Sequence, residues 1–142
     1  MYRKTIEKLK MRAVKLGAAE SKIIDVKTVK TAAWVRYKCQ FGCSGFAESL
    51  TCPPYSPTPD ETQKILNSFQ KAILIHCHSG SHVDISKVVI KIEKEAFLAG
   101  YYKALGMGAG PCRLCRVCNL KGECRHREEA RPSMEACGID VY

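Results

Sequence analysis

Four cysteines stand close together in the C-terminal third of the chain, at Cys112, Cys115, Cys118 and Cys124, in the pattern C-x2-C-x2-C-x5-C. Thiolates are soft, anionic metal donors. Three of them at successive gaps of two residues can curl around one centre while a fourth closes the shell. Zinc sites more often arrive as two separated cysteine pairs. The run Cys112-Arg113-Leu114-Cys115-Arg116-Val117-Cys118 therefore suits a [4Fe–4S] cubane better than a zinc knuckle, with zinc as the alternative metal.

Bacterial ferredoxins use a related run, in which the fourth cysteine serves another cluster and a proline follows it. Here the last gap is longer and Arg125 follows Cys124, so the run resembles a cluster loop but not a ferredoxin's. Amides of the Gly-rich approach, with Arg113, Arg116 and Arg125, are candidates to stabilise the anionic site; a solvated basic loop is the plainer reading of the same residues.

A second constellation is Cys39-x3-Cys43-x8-Cys52-Pro53-Pro54. Proline after a ligand cysteine stiffens the loop by fixing the next φ, and Gly42 and Gly45 allow tight turning. Three cysteines leave a fourth position open. Cys137 is the favoured candidate because structural sites are closed; Cys77, a histidine or an outside molecule are the others. The metal ligands expected overall are Cys39, Cys43, Cys52, Cys112, Cys115, Cys118, Cys124 and Cys137. Cys77 follows an apolar run and also reads as a buried thiol acting as a small hydrophobe. His76, His78 and His82 read as a polar strand-end loop before they read as metal ligands. His126, just after Cys124, is a weak outer candidate, and Tyr101 and Tyr102 read as packing residues.

No dinucleotide-binding glycine motif, Walker loop, serine elbow or spaced carboxylate pair is present. Cys39 and Cys43 have the first gap of a radical-SAM motif, but Cys52 comes too late. Whether the chain is an enzyme stays open, and its catalytic residues stay unknown.

The thiols must be positioned by a chain of 142 residues that is 46% hydrophobic, enough for one compact domain. Nine cysteines form an odd set, and the N-terminal residues are charged where a secretory signal would be apolar. A reducing, cytoplasmic location with metal binding rather than disulfides is the expectation. No apolar run is long enough to span a membrane. The formal charge of +9 invites a nucleic-acid reading. Two anionic thiolate sites would lower it to about +5, so charge alone does not establish that partner.

Tyr2, Ile6, Leu9, Ala13 and Leu16 recur at helical spacing before Gly17. Residues 22–37, rich in Ile, Val and Thr, favour strands that could pair as a hairpin leading into Cys39. Thr58-Pro59-Asp60-Glu61 carries a capping box for a helix burying Ile65, Leu66 and Phe69. Ala72-Ile73-Leu74-Ile75 suggests a buried strand. A long helix is expected from Val83 to Leu105 with Ile85, Val89, Ile92, Ala96, Ala99 and Lys103 on one stripe. A short helical turn is expected near Ser133–Ala136. The fold class is α+β or α/β: a single small domain over residues 1–142, with a short sheet flanked by helices and two cysteine-rich metal-binding loops brought together.

With both cysteine loops laid out, the sequence resembles an uncharacterised prokaryotic family of predicted metal-binding proteins found largely in anaerobes. The matching residues are Val35-Arg36-Tyr37-Lys38-Cys39, Cys43, Cys52-Pro53-Pro54-Tyr55, Gly110-Pro111-Cys112-Arg113-Leu114-Cys115, Cys118, Cys124-Arg125-His126 and Arg131 through Val141. The resemblance implies metal binding through these cysteines but supplies no reaction. Phe46 stands where the family tends to have Tyr, and Arg127 where it tends to have Pro after the Cys-Arg-His run.

The functional expectation is one or two [4Fe–4S] clusters serving electron transfer or assisting a redox enzyme, with a redox partner protein. The alternative is a zinc-stabilised interaction module, with nucleic acid as a candidate partner through Lys and Arg. The chain lacks the aromatic-plus-basic strand motif of an RNA-recognition sheet, which ranks that alternative lower.

Overall fold

A computed structural model describes residues 2–142. In chain order the elements are α1 (Tyr2–Lys15), β1 (Glu20–Asp25), α2 (Ala33–Gly42), α3 (Pro59–Leu66), β2 (Lys71–His76) and α4 (Ile85–Leu98). Short 3-10 turns stand at Val26–Thr28 and Glu135–Cys137. Four helices and one two-stranded antiparallel sheet make the class α+β. None of the described helices is long and apolar enough to cross a membrane.

The chain forms two compact units, one of residues up to Asp25 with Lys71–Gly106, the other of Val26–Gln70 with Met107–Tyr142. In the first, β1 and β2 pair from Glu20↔His76 to Asp25↔Lys71. The amphipathic α1 packs on this ribbon and on α4, burying Leu9 and Ala13. The side chain of Tyr2, which the expected stripe includes, lies outside the described residues. Arg12 and Lys15 sit in the last turn of α1, where cations complement the helix dipole. Gly17 has a φ of 113°, and a Cβ there would stand 2.7 Å from Val83 Cγ2; only glycine both turns this way and fits. Ala13, Ala18, Val88 and Ile92 form the core, with Ile73, Ile75 and Cys77 packed against it. The β2 run is a strand, but only half-buried, because a two-stranded ribbon cannot cover both its faces; Leu74 is 44% exposed.

α4 is shorter than its apolar pattern suggests. Asp84 caps its start by accepting from the Ser86 and Lys87 amides. It stops at Leu98 because Gly100, at φ 101°, reverses the chain. The Tyr101 amide then bonds the Ala96 carbonyl and the Gly100 amide bonds that of Phe97, a Schellman closure. Ala99 and Lys103, expected on the helix stripe, fall beyond it. Val88, Ile92 and Ala96 are the buried positions.

In the second unit the expected hairpin is not formed. β1 ends at Asp25, and Trp34-Val35-Arg36-Tyr37 lie in the helix α2. Composition there favours strands, but Val35 is buried and α2 packs against the Glu135–Cys137 turn, so tertiary contact overrides propensity. Cys39 consequently sits on a helix rather than in a loop. α3 begins as expected, with both bonds of the capping box present and Pro59 at its start. It ends at Leu66, burying Thr62 and Leu66; Ile65 is half-buried, and Phe69, also half-buried, lies past the end.

Candidate metal centre

All eight cysteines expected as ligands belong to the second unit, and Cys77 belongs to the first. The stretch from Met107 to Met134 contains no helix or strand, only an isolated bridge from Gly108 to Ser133. A structureless segment of that length in a compact unit is ordinarily held for function. Here it is wound around Cys112, Cys115, Cys118 and Cys124, which line a single cleft with Leu50, Leu114, Arg125, His126 and Ala130.

Two backbone amides address sulfur in this cleft. The Leu50 N–H points to Cys118 Sγ at 3.3 Å, and the His126 N–H to Cys124 Sγ at 3.4 Å. Donors aimed at sulfur stabilise the thiolate form that a metal requires. Arg125 folds back so that its guanidinium donates to the Val117 carbonyl at 3.2 Å, placing its positive charge over the loop. Ser49, Leu50 and Thr51, which also line the cleft, come from the other cysteine segment, immediately before Cys52. No residue type marks them in advance, since an amide donor carries no side-chain signature.

The second grouping is built on α2. Arg36, Cys39 and Cys43 are spaced at three and four residues, which sets them along one helix face. Cys43 is the helix cap and is exposed, while Cys39 and Cys52 are half-buried. Cys52 arrives by tight turns, with the Ala47 amide bonding the Pro53 carbonyl at 2.7 Å and the Cys52 amide that of Ser49. Ala47, at φ 62°, takes the left-handed conformation in this loop; Gly42 closes α2 instead.

Burial, then the neighbouring Cys43 and Cys52 thiols, then the Glu135 carboxylate raise the Cys39 thiol above its ordinary pKa, with Arg36 pulling it back. These groups thus stand within electrostatic reach of one another. Cys39 Sγ lies 4.0 Å from the Glu135 carbonyl oxygen. The Glu135 Oε2 and Arg36 Nη1 atoms are both buried without a hydrogen-bond partner.

Cys137 is placed differently. Its side chain is fully buried, as is that of Thr62 on α3. Burial pushes its thiol up to about 11, against the smaller pull of the Thr62 hydroxyl and of Arg36. In the first unit, the His76 and His78 rings meet edge to face at 5.3 Å. Among the described residues, no three His, Cys, Asp or Glu side chains converge tightly enough to grip one ion as they stand.

The donor sets nonetheless fit a thiophilic metal group: soft sulfurs from one short loop, with amide hydrogens directed at two of them. A family model described as Predicted metal-binding protein (DUF2284) matches residues 22–142, which takes in the whole second unit. No curated protein and no solved structure matches the chain.

Proposed function

The chain belongs to this family of predicted metal-binding proteins, and from that premise we propose that it carries [4Fe–4S] clusters and serves electron transfer, alone or as an accessory to a redox enzyme. The four-cysteine cleft carries the reading. Its two consecutive x2 gaps suit a cubane, and amide donors to Cys118 and Cys124 are the kind of contact that tunes a cluster's potential. Bound there, a cluster supplies one-electron chemistry. The chain's own part is to hold it through Cys112, Cys115, Cys118 and Cys124, to stabilise anionic sulfur through the Leu50 and His126 amides, and to limit water with Leu50, Leu114 and Ala130.

The Cys39, Cys43 and Cys52 grouping is the second site of this proposal. The segment bearing Cys52 also walls the first cleft, which supports exchange of electrons between the two. Exposed Cys43 supports access for a redox partner protein.

Protein purified without oxygen should be brown and contain iron with acid-labile sulfide in matching amounts. Colourless protein holding stoichiometric zinc and no sulfide would reject the redox role and leave the zinc-stabilised interaction module.

A further inference from the structure

We propose that Arg36 is a positioning residue of the Cys39, Cys43 and Cys52 grouping: through Ser56 it holds the Cys52 arm against α2, and its free Nη1 donates to the anionic sulfur group bound there. The proposal rests on a metal group, cluster or zinc, occupying that grouping.

The Cys52 arm is anchored at one buried residue. Ser56 is 5% exposed, and each of its polar groups is engaged. Its amide donates to the Cys52 carbonyl at 3.1 Å, which ties it to the ligand cysteine. Its hydroxyl donates to the Ala136 carbonyl at 2.6 Å, and its own carbonyl accepts from Arg36 Nη2 at 3.3 Å. Ser56 thus joins the Cys52 loop, α2 and the Glu135–Cys137 turn.

Cys39 meets the same turn from α2, with its Sγ 4.0 Å from the Glu135 carbonyl oxygen. The turn is itself fixed, because the Ala136 amide donates to Ser133 Oγ at 3.0 Å. Two cysteines from separate segments are therefore held to adjacent carbonyls of one turn, Cys39 directly and Cys52 through Ser56.

Arg36 stands one helical turn before Cys39, and Cys43 caps the helix one turn after it, so the three share a face. A guanidinium carries its donors in a rigid planar fork. One arm of that fork is spent on Ser56. The other terminal nitrogen, Nη1, is buried without a hydrogen-bond partner. A buried donor left unpaired is costly, and a thiolate or sulfide acceptor at the grouping removes that cost. Lysine has no such fork and cannot make both bonds from one planar group. A positive donor beside bound sulfur also favours the reduced, more negative state of a cluster, which raises its potential.

The test compares anaerobically prepared wild type with Arg36→Gln, Arg36→Lys, Ser56→Ala and Lys38→Gln, each checked for folding by circular dichroism. Lys38 is the charge control: it is exposed on the same helix, with its ammonium over the Trp34 ring at 5.3 Å. Iron, sulfide and zinc are measured per chain. Cluster potentials come from redox titration followed by electron paramagnetic resonance, and metal retention from the rate of loss to a chelator.

Arg36→Gln should lower the potential of one cluster and speed its loss by about tenfold, while the other cluster keeps its potential. Ser56→Ala keeps the carbonyl that Arg36 uses and removes only the hydroxyl bond, so it should speed loss without moving the potential. Arg36→Lys keeps the charge without the fork, and its potential should fall between those of wild type and Arg36→Gln. Lys38→Gln should match wild type in both readouts. Unchanged potentials and loss rates in Arg36→Gln would overturn the proposal. So would an equal fall of potential in Lys38→Gln, which would reduce the effect to net charge. Wild type holding zinc without sulfide would defeat the cluster reading alone, because the rate at which the same variants release zinc still decides the positioning role. Wild type holding no metal would defeat both.

Discussion

Cys77 and Cys118 carry the same thiol in opposite settings. Cys77 packs against Ala13, Ala18, Val88 and Ile92, where it acts as a small apolar side chain. Cys118 Sγ accepts the Leu50 amide in the cleft. Cys77→Ala should leave metal content unchanged and cost about 1 kcal/mol of stability, as small truncations at partly buried sites do. Cys118→Ser should remove the cleft's share of metal. Metal analysis with urea unfolding reads both, and metal loss in the Cys77 variant would contradict the division. Spacing alone singles out the Cys112–Cys124 group, whose members line one cleft, since donors crowded into one loop need no tertiary partner to meet. The Leu50 and His126 amides that address sulfur stay hidden in the sequence, because a backbone donor has no side-chain signature.

At the scale of elements, what was legible is what local chemistry decides. The Thr58–Glu61 box could be read directly, and the structure shows both of its bonds, the Thr58 amide donating to Glu61 Oε2 at 2.8 Å and the Glu61 amide to Thr58 Oγ1 at 3.2 Å. α2 was misread as strand because its helix rests on Val35 packing and not on a cap; Ala32 before it makes no side-chain capping bond. Thr58→Ala should destabilise the protein by about 1 kcal/mol. The backbone bond from Thr58, then the contact with its side chain, lower the Glu61 pKa below 4.5. A depressed carboxyl contributes stability that is present above its unfolded pKa and lost as pH falls through the folded one. Glu61→Gln, a neutral mimic, should thus be less stable than wild type at pH 7 and nearly equal to it at pH 3. A gap that persists undiminished in acid would show that charge at Glu61 is not involved.

For the whole molecule, the two units rest on different kinds of cohesion. The first has a ribbon, two helices and an apolar core of Ala13, Ala18, Val88 and Ile92. The second places helix α2, helix α3 and two short turns around irregular segments at 43–58 and 107–134, whose amides bond in part to sulfur. Those bonds depend on the sulfurs being anionic, because a thiolate accepts more strongly than a thiol. On the proposed reading, metal release removes the ligand bonds that close the loops, leaving the Leu50 and His126 contacts to hold them alone. With two anionic thiolate sites filled, as proposed, the net charge would be about +5, and emptying them would return it toward the formal +9, raising repulsion among Arg113, Arg116, Arg125 and Arg127. Removing metal under anaerobic conditions should therefore speed amide hydrogen exchange at 47–55 and 112–130, while β1, β2 and α4 keep their protection. Uniform loss of protection across both units would mean that metal binding supports the entire fold; unchanged exchange in the cysteine segments would mean that metal does not order them at all.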